Sequence, residues 1–537
     1  MTTIGTIPSA TLMGVEGAPV WVEVHVSNGL PGFTIVGLPD AACRESRDRV
    51  RAALLSSDLT WPLRRVTVNL APSGVRKGGA GLDLPIAIGL LVACGALGEH
   101  LVDGHAFIGE LGLDGSLRAV AGIVPMVDAI EAGTVVVPTA CANEAELVED
   151  RTVRSAPTLR AALDALAGRA PWPRPPASTE RWRGCASARS NGRAQDRDPA
   201  QASRGTAAAG WEMPEVPDMA DVHGQPLGRR AVEVAAAGGH HLLLLGPPGS
   251  GKTMLARRLL GLLPPLNAGE ALEVSKVHSA AGLPIGQFSS HAAPPFRAPH
   301  HGASPVSLIG GGTAWMRPGE ISLASGGVLF LDELGEFPRI ALEALRQPIE
   351  EGVVNVCRAR GSHVFPARVL LVAAMNPCPC GFGGLPGRCR CSPAARSRYA
   401  QRLSAPLLDR FDLAVRLDRT DPDELVEGDP AEPSAAIAAR VSTVRLRCRE
   451  RGVRTNAEIP PNRLDDLAPL TPEARRYLTR KLREGGLSAR GLARVRRTAR
   501  TIADLEGGEE RVGIDHVAEA LALRAARDAL VSEADRP

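Results

Sequence analysis

Apolar positions recur at period two in some stretches of the chain, at helical spacing in others, and at neither in one long segment. Val20-Trp-Val-Glu-Val-His-Val26 alternates as a half-buried strand does. Residues 40–56 read as a helix and Arg65-Val-Thr-Val-Asn-Leu70 as a second strand. Leu242 to Leu245 is wholly apolar, the pattern of a strand buried on both faces, and Met254 to Leu263 follows as a helix. Val328 to Leu331 and Val369 to Met375 are two more buried-strand runs. Between them, residues 351–365 hold two β-like runs around a basic turn. Thr471–Glu484 and Leu492–Leu505 carry apolar residues at helical spacing. The expected fold class is α/β.

Residues 168–210 break this pattern. They are rich in Pro, Ser, Ala, Gly and Arg, with eight arginines against three acids. Such a segment buries too little apolar surface to offset the entropy of ordering it. A disordered tether is expected there, with a nucleic-acid contact by its arginines as the alternative. The tether divides an N-terminal domain, 1–167, from a second region beginning at 211. That region is expected to hold a core over 211–425 and a helical part over 456–530.

The candidate chemistry lies in the second region. Gly246-Pro247-Pro248-Gly249-Ser250-Gly251-Lys252-Thr253 fits G-x-x-x-x-G-K-[ST], placed between a buried strand and a helix. Glycines let backbone N–H groups close around phosphate oxygens, and the helix N-terminus adds positive charge. Lys252, one of only four lysines in the chain, would reach the β- and γ-phosphates. The Thr253 hydroxyl would hold Mg²⁺. The strand Val328–Leu331 runs into Asp332 and Glu333, about eighty residues after Lys252. Asp332 would bind Mg²⁺ and Glu333 would act as general base on a water. The strand ending at Met375 delivers Asn376, a candidate to orient that water. Arg410, in Pro406-Leu-Leu-Asp409-Arg410-Phe411-Asp412, is a candidate arginine finger. The alternative is a salt bridge to a neighbouring acid.

In this order the motifs resemble an AAA+ ATPase, in the branch of magnesium-chelatase I subunits and minichromosome-maintenance helicases. Phe296-Arg297-Ala-Pro-His300-His301, Leu308-Ile-Gly-Gly-Gly312, Arg317-Pro-Gly-Glu320 and Leu487-Ser-Ala-Arg490-Gly are similar to the ComM/YifB family of magnesium chelatase-like proteins. The resemblance implies ATP and Mg²⁺ as cofactors, a homo-hexameric ring, and Arg410 acting on the neighbouring subunit's nucleotide. It implies that Asp221–Gln225 borders the adenine and that 456–530 is the helical lid. Arg490 is the candidate sensor of the γ-phosphate, with Arg494 and Arg497 as alternatives. It also implies an insert over 282–320 and a pore hairpin over 351–365, whose Arg358 and Arg360 would grip DNA phosphates without reading bases.

The N-terminal domain resembles the ribosomal-S5-type fold of the Lon proteolytic domain. Gly81 stands where Lon has its serine, and Val124 where it has its lysine, so covalent catalysis has no agent. Ser73 and Lys77 leave a displaced dyad open.

Ten cysteines in a chain without a secretion signal suggest thiols or metal rather than disulfides. Cys378, Cys380, Cys389 and Cys391 could bind Zn²⁺ tetrahedrally, although C-x-C is tighter than the usual spacing. Reduced structural thiols are the alternative. His300 and His301 are expected to point apart and to bind no metal. The longest apolar run, Leu84–Leu97, is too short to span a bilayer, so no membrane role and a cytoplasmic location are expected. A net charge of +3 leaves DNA contact to local patches. The family resemblance favours a DNA motor, a helicase or branch-migration factor working on single-stranded or branched DNA in transformation and recombination. A chelatase-like metal-insertion motor and a Lon-like protease are the alternatives.

Overall fold

The computed structural model describes residues 4–74, 76–174, 216–283, 285, 293–312, 316–358, 361–383, 387–421, 423–424, 431–485, 487–527 and 530. Residues 175–210 of the expected tether lie outside these, as do Arg360 and the side chain of Arg358. The fold is mixed α/β, and the chain forms two compact units.

The first unit contains a four-stranded sheet of β1 (Ile4–Met13), β2 (Glu16–Ser27), β3 (Gly32–Val36) and β4 (Arg65–Ala71), in the order β1-β2-β4-β3. β1 with β2 and β2 with β4 are antiparallel; β3 lies parallel to β4. Val20, Val22, Val24 and Val26 all turn inward, as the period-two pattern requires. Helix α1 (Ala41–Ser56) begins at Asp40, whose carboxylate accepts the Cys43 amide N–H. Helix α2 (Asp83–Ala93) is apolar on every face and buried throughout. Its Asp83 carboxylate is held by Arg49 and Ser46, although burial pushes its pKa up. Lys77 is buried too, and its amine donates to the Pro72 carbonyl.

One helix of this unit comes from far along the chain. Ala268–Ala281 follows the helix Lys252–Arg258 in sequence but packs among N-terminal residues. Lys276 pairs with Asp128 at 2.6 Å and Glu16 at 3.6 Å. Ser279 accepts the Gly122 N–H through its carbonyl and the Val124 N–H through its hydroxyl.

The second unit is built on a five-stranded, fully parallel sheet. Its order is Phe296–Arg297, Val328–Leu331, Leu370–Met375, Leu242–Leu245, Leu413–Arg416. Both faces are covered, so the three central strands are apolar at every position. The helix Pro226–Gly238 and the C-terminal helices Ser434–Glu450, Pro472–Arg483, Ala489–Leu505 and Ile514–Ala522 share one core with it. Thr471 and Ser488 cap two of these helices by accepting the N–H of Ala474 and Gly491. Asp504, deep among them, is held by Arg451, Arg500 and Asn456. Among the described residues no helix is long and apolar enough to cross a membrane.

Candidate functional site

Ligands of open parallel sheets bind at the carboxyl ends of strands, where the strand order reverses. Strand Leu242–Leu245 is that point here, because its neighbours Leu370–Met375 and Leu413–Arg416 both come later in the chain. The loop 246–251 leaves its carboxyl end. Gly249 and Gly251 have φ of 79° and 83°, a left-handed backbone that suits glycine. A Cβ at Gly246 would lie 2.3 Å from the Leu417 carbonyl oxygen. Ser250 Oγ is buried with no hydrogen-bond partner among the described residues.

Lys252 opens the helix Lys252–Arg258 and turns back over the loop. Its Nζ donates to the carbonyls of Gly246 and Pro247, each at 2.8 Å, and to Asn376 Oδ1 at 3.2 Å. Burial lowers its pKa, and the charge of Asp332 opposes this. Carbonyl oxygens therefore surround the ammonium where phosphate oxygens would compete for it. Thr253 Oγ1 donates to Asp332 Oδ2 at 2.8 Å. The two candidate Mg²⁺ ligands thus meet at the carboxyl edge of the sheet, although strand Leu370–Met375 lies between the strands that precede them. Glycines in positive φ, an unpartnered buried hydroxyl and an oxygen pair of this kind together fit Mg²⁺ and a phosphate chain.

Glu333 follows Asp332 with φ of 52°, a conformation that costs a non-glycine residue about 1–3 kcal/mol. Its N–H donates to Asp332 Oδ1 at 2.9 Å. Its side chain is exposed and lies 3.0 Å from His301 Nδ1. Nothing in the sequence pattern marks that contact, nor the tilted ring of His300 behind it. His300 and His301 do not point apart: they sit on a turn, and their ring centroids are 4.1 Å apart. An extended backbone would have separated them; the turn brings them together.

Arg410 is largely buried, and its guanidinium pairs with Glu350, at the end of helix Arg339–Glu351, rather than with Asp409 or Asp412. Burial lowers its pKa and Glu350 counters that. Asp409 goes to Arg527, and Asp412 goes to Arg494 at 2.6 Å. Of the three candidate sensors, Arg494 is thus engaged, and Arg497 donates to the Ile459 carbonyl at 2.8 Å. Arg490 is exposed in the first turn of its helix and makes no hydrogen bond or ion pair among the described residues. Gln225, on the segment read as bordering adenine, donates to the Asp418 carbonyl at 2.5 Å.

The hairpin is present: Val353–Arg358 pairs antiparallel with Gly361–Pro366. Its Val354, Val356 and Phe365 are buried. The proposed gripping groups, Arg358's side chain and Arg360, fall outside the described residues.

The four cysteines converge. Cys378 Sγ lies 3.4 Å from Cys380 and 3.9 Å from Cys389, and Cys380 lies 3.6 Å from Cys389. All four sulfurs fall within 4.8 Å of one another. Four sulfurs at about 2.3 Å from one Zn²⁺ sit about 3.8 Å apart, so the cluster has the right size. Amide N–H groups of Phe382 and Arg390 pull the Cys380 thiol down to about 6, which readies one thiolate. The Cys380 amide also favours a thiolate at Cys391, yet the neighbouring sulfurs hold that thiol at about 11.

In the first unit, Gly81 carries no side chain for nucleophilic chemistry, and Val124 is a buried aliphatic on the short helix α3 (Ile123–Asp128). The Lys77 amine is engaged by Pro72, and Ser73 is exposed.

Three family descriptions match this chain: "Subunit ChlI of Mg-chelatase" over 22–141, "Magnesium chelatase, subunit ChlI" over 218–425, and "Magnesium chelatase, subunit ChlI C-terminal" over 431–524. The chain is similar to the Competence protein ComM of Haemophilus influenzae, with 41% identity over 526 residues and 97% of each chain covered. It is 39% identical over 526 residues to the uncharacterized protein YifB of Escherichia coli K12, again with 97% of each chain covered. An uncharacterized protein of Mycobacterium tuberculosis H37Rv is 41% identical over 528 residues, covering 97% of this chain and 98% of its own. With all three descriptions in chain order and near full-length identity to these relatives, the chain belongs to the ComM/YifB family of magnesium chelatase-like proteins.

Proposed function

We propose that the chain is an ATP-hydrolysing AAA+ motor that acts on DNA as a homo-hexameric ring. The observation that carries the ATPase reading is the meeting of Lys252 with Asn376, which follow adjacent parallel strands, and of Thr253 with Asp332, whose strands flank Leu370–Met375 on either side. Phosphate oxygens replace the loop carbonyls around Lys252, and the backbone N–H groups of 246–251 cradle them. Thr253 and Asp332 hold Mg²⁺, which neutralises phosphate charge. Glu333 takes the proton of the attacking water, and Asn376 orients that water. Arg410 serves the neighbour's nucleotide, and Arg490 reaches the γ-phosphate from the lid.

On this reading residues 211–425 are the AAA+ core and 456–530 its helical lid. The first unit is an S5/Lon-type domain that binds rather than cleaves, and the chain works in the cytoplasm. Four cysteines of the right spacing take one Zn²⁺ per chain.

DNA as the substrate is supported by the relative named as a competence protein and by the basic hairpin of 351–365. The motor is then a helicase or branch-migration factor on single-stranded or branched DNA. The family descriptions favour one alternative, a metal-insertion motor like the chelatase subunit. The deciding experiment is the ATPase rate with and without single-stranded, duplex and branched DNA. Stimulation by DNA supports the motor; indifference to all three shifts the reading to the chelatase-like role. Lys252→Ala should abolish hydrolysis and Glu333→Gln should retain bound ATP. Normal turnover in either variant removes the site assignment.

A further inference from the structure

The cysteine cluster lies against the phosphate loop. The chain leaves Asn376, passes Pro377 and enters Cys378, which is fully buried. The next turn closes with the Gly381 N–H on the Cys378 carbonyl at 2.9 Å, and the Gly383 N–H on Cys378 Sγ at 3.2 Å. Gly381, beside ligand Cys380, has φ of 84°. A Cβ there would lie 2.3 Å from Pro248 Cδ and 2.8 Å from Pro248 Cγ. Its backbone is thus packed on the proline ring of the phosphate loop, with no room for a side chain. The following residue, Phe382, carries the Arg419 guanidinium 5.6 Å from its ring centroid. Arg419 Nη2 in turn lies 3.4 Å from the Pro248 carbonyl oxygen. Pro248 is therefore touched on its ring by Gly381 and on its carbonyl by Arg419.

The loop 246–251 is neither helix nor strand, so its shape depends on what surrounds it. The cysteine turn is itself irregular. Without a metal it is closed by weak S–H contacts and hydrogen bonds from amide N–H groups; with one, four metal–sulfur bonds are added. Only the metal-closed turn is a stiff support.

We propose that the four-cysteine turn is a zinc-dependent brace of the phosphate loop: metal held by Cys378, Cys380, Cys389 and Cys391 fixes Gly381 and Phe382 under Pro248, and thereby sets nucleotide affinity. This rests on the reading of the cluster as a zinc site. Nucleotide binding then responds to zinc supply and to thiol oxidation, through residues that touch neither phosphate nor base.

The test uses the full chain. Zinc content is measured by elemental analysis, and affinity by titration of a fluorescent ATP analogue. An organomercurial with a chelator ejects the metal; excess reductant then removes the reagent, with or without added Zn²⁺. Ejection should weaken nucleotide binding by about tenfold, and only the arm given zinc should recover. A second probe leaves the ligands intact. Gly381→Ala should keep one zinc per chain yet bind nucleotide more weakly, because its Cβ collides with Pro248. Ejection with unchanged affinity overturns the brace and leaves the zinc site standing. A chain that carries no zinc, and whose affinity ignores added zinc, removes the metal reading and the brace together. If Gly381→Ala does not fold, the ejection arm on the unaltered chain still decides.

Discussion

The imidazole of His301 stands 3.0 Å from the carboxylate of Glu333 and is backed by the ring of His300. A general base works only when its oxygen faces the water, and misplacement by about 1 Å can cost on the order of 10²-fold. His301 comes from the segment between the loop 246–251 and the Asp332 strand, so Glu333, the proposed base, is held by a distant part of the chain. His301→Ala should lower kcat by about tenfold while nucleotide affinity stays within about twofold. His301→Asn, which keeps a polar group there, should recover part of the loss. Single-turnover ATPase and nucleotide titration separate the two effects. A parallel fall in affinity would mean that the ring merely supports the fold.

Arg410 is paired with Glu350 of its own chain. If it serves a neighbour, Arg410→Ala should bind ATP normally yet lose hydrolysis by about 10³-fold or more. Mixing Arg410→Ala with Lys252→Ala subunits should then restore activity, since one supplies the site and the other the finger. Mixtures as inactive as their parts would place Arg410 in a structural ion pair.

Loss of the hairpin arginines should separate the response to DNA from the turnover of ATP. Arg358→Ala with Arg360→Ala should keep basal hydrolysis and lose DNA stimulation. The slope of log affinity against log salt should fall by about one for each phosphate contact removed. Unwinding of branched DNA at the unaltered rate would rule out the grip.

Burial pulls the His241 imidazole down to about 4, against the pull of Asp412 and with help from Arg494, His240 and Arg410. The neutral ring accepts the Leu371 N–H through Nδ1 at 3.1 Å, a bond that protonation destroys. A base with a depressed folded pKa leaves the unfolded chain binding more protons, so stability falls with falling pH. The window runs from about 6.5, the ordinary histidine value, to about 4. Asp412 is held below its ordinary value of 3.8, so its own contribution fades only below that range. The melting temperature should therefore drop steadily from pH 6.5 to 4.5, and His241→Gln should flatten the slope. An unchanged slope would assign the loss to other groups.

The local parts of the site were legible because their signals are local. Leu242–Leu245 is a strand with the bounds the apolar run implies; the helix expected over 40–56 takes Asp40 as its N-cap, and the apolar spacing of 492–505 belongs to a helix that starts at Ala489 behind Ser488. Helix Lys252–Arg258 starts two residues earlier than its apolar spacing suggests and tightens into a 3₁₀ turn over Leu259–Leu262. β1 turns Gly5, Ser9 and Thr11 inward beside Ile7, so its buried face has no apolar period, and Phe296–Arg297 is too short to show one. The missed residues are partners across the fold. Glu350 for Arg410, Asp412 for Arg494 and His301 for Glu333 are each separated by tens of residues. Charge alone names too many such pairs. The turn that brings the His300 ring against His301 depends on backbone angles that an H-H pair does not encode.

The helix Ala268–Ala281 means that the chain passes between its two units three times, once at each edge of the segment 268–289 and once near residue 212. A single cut between residues 175 and 210 therefore cannot yield two whole pieces. A fragment starting at 211 would carry this helix without Asp128, Glu16, Gly122 and Val124, leaving Val274 and Val277 bare to water and to other fragments. The N-terminal piece alone would lack the segment that covers α3. Proteolysis, truncation and domain exchange should all treat the two halves as one inheritance unit, passed on together or lost together.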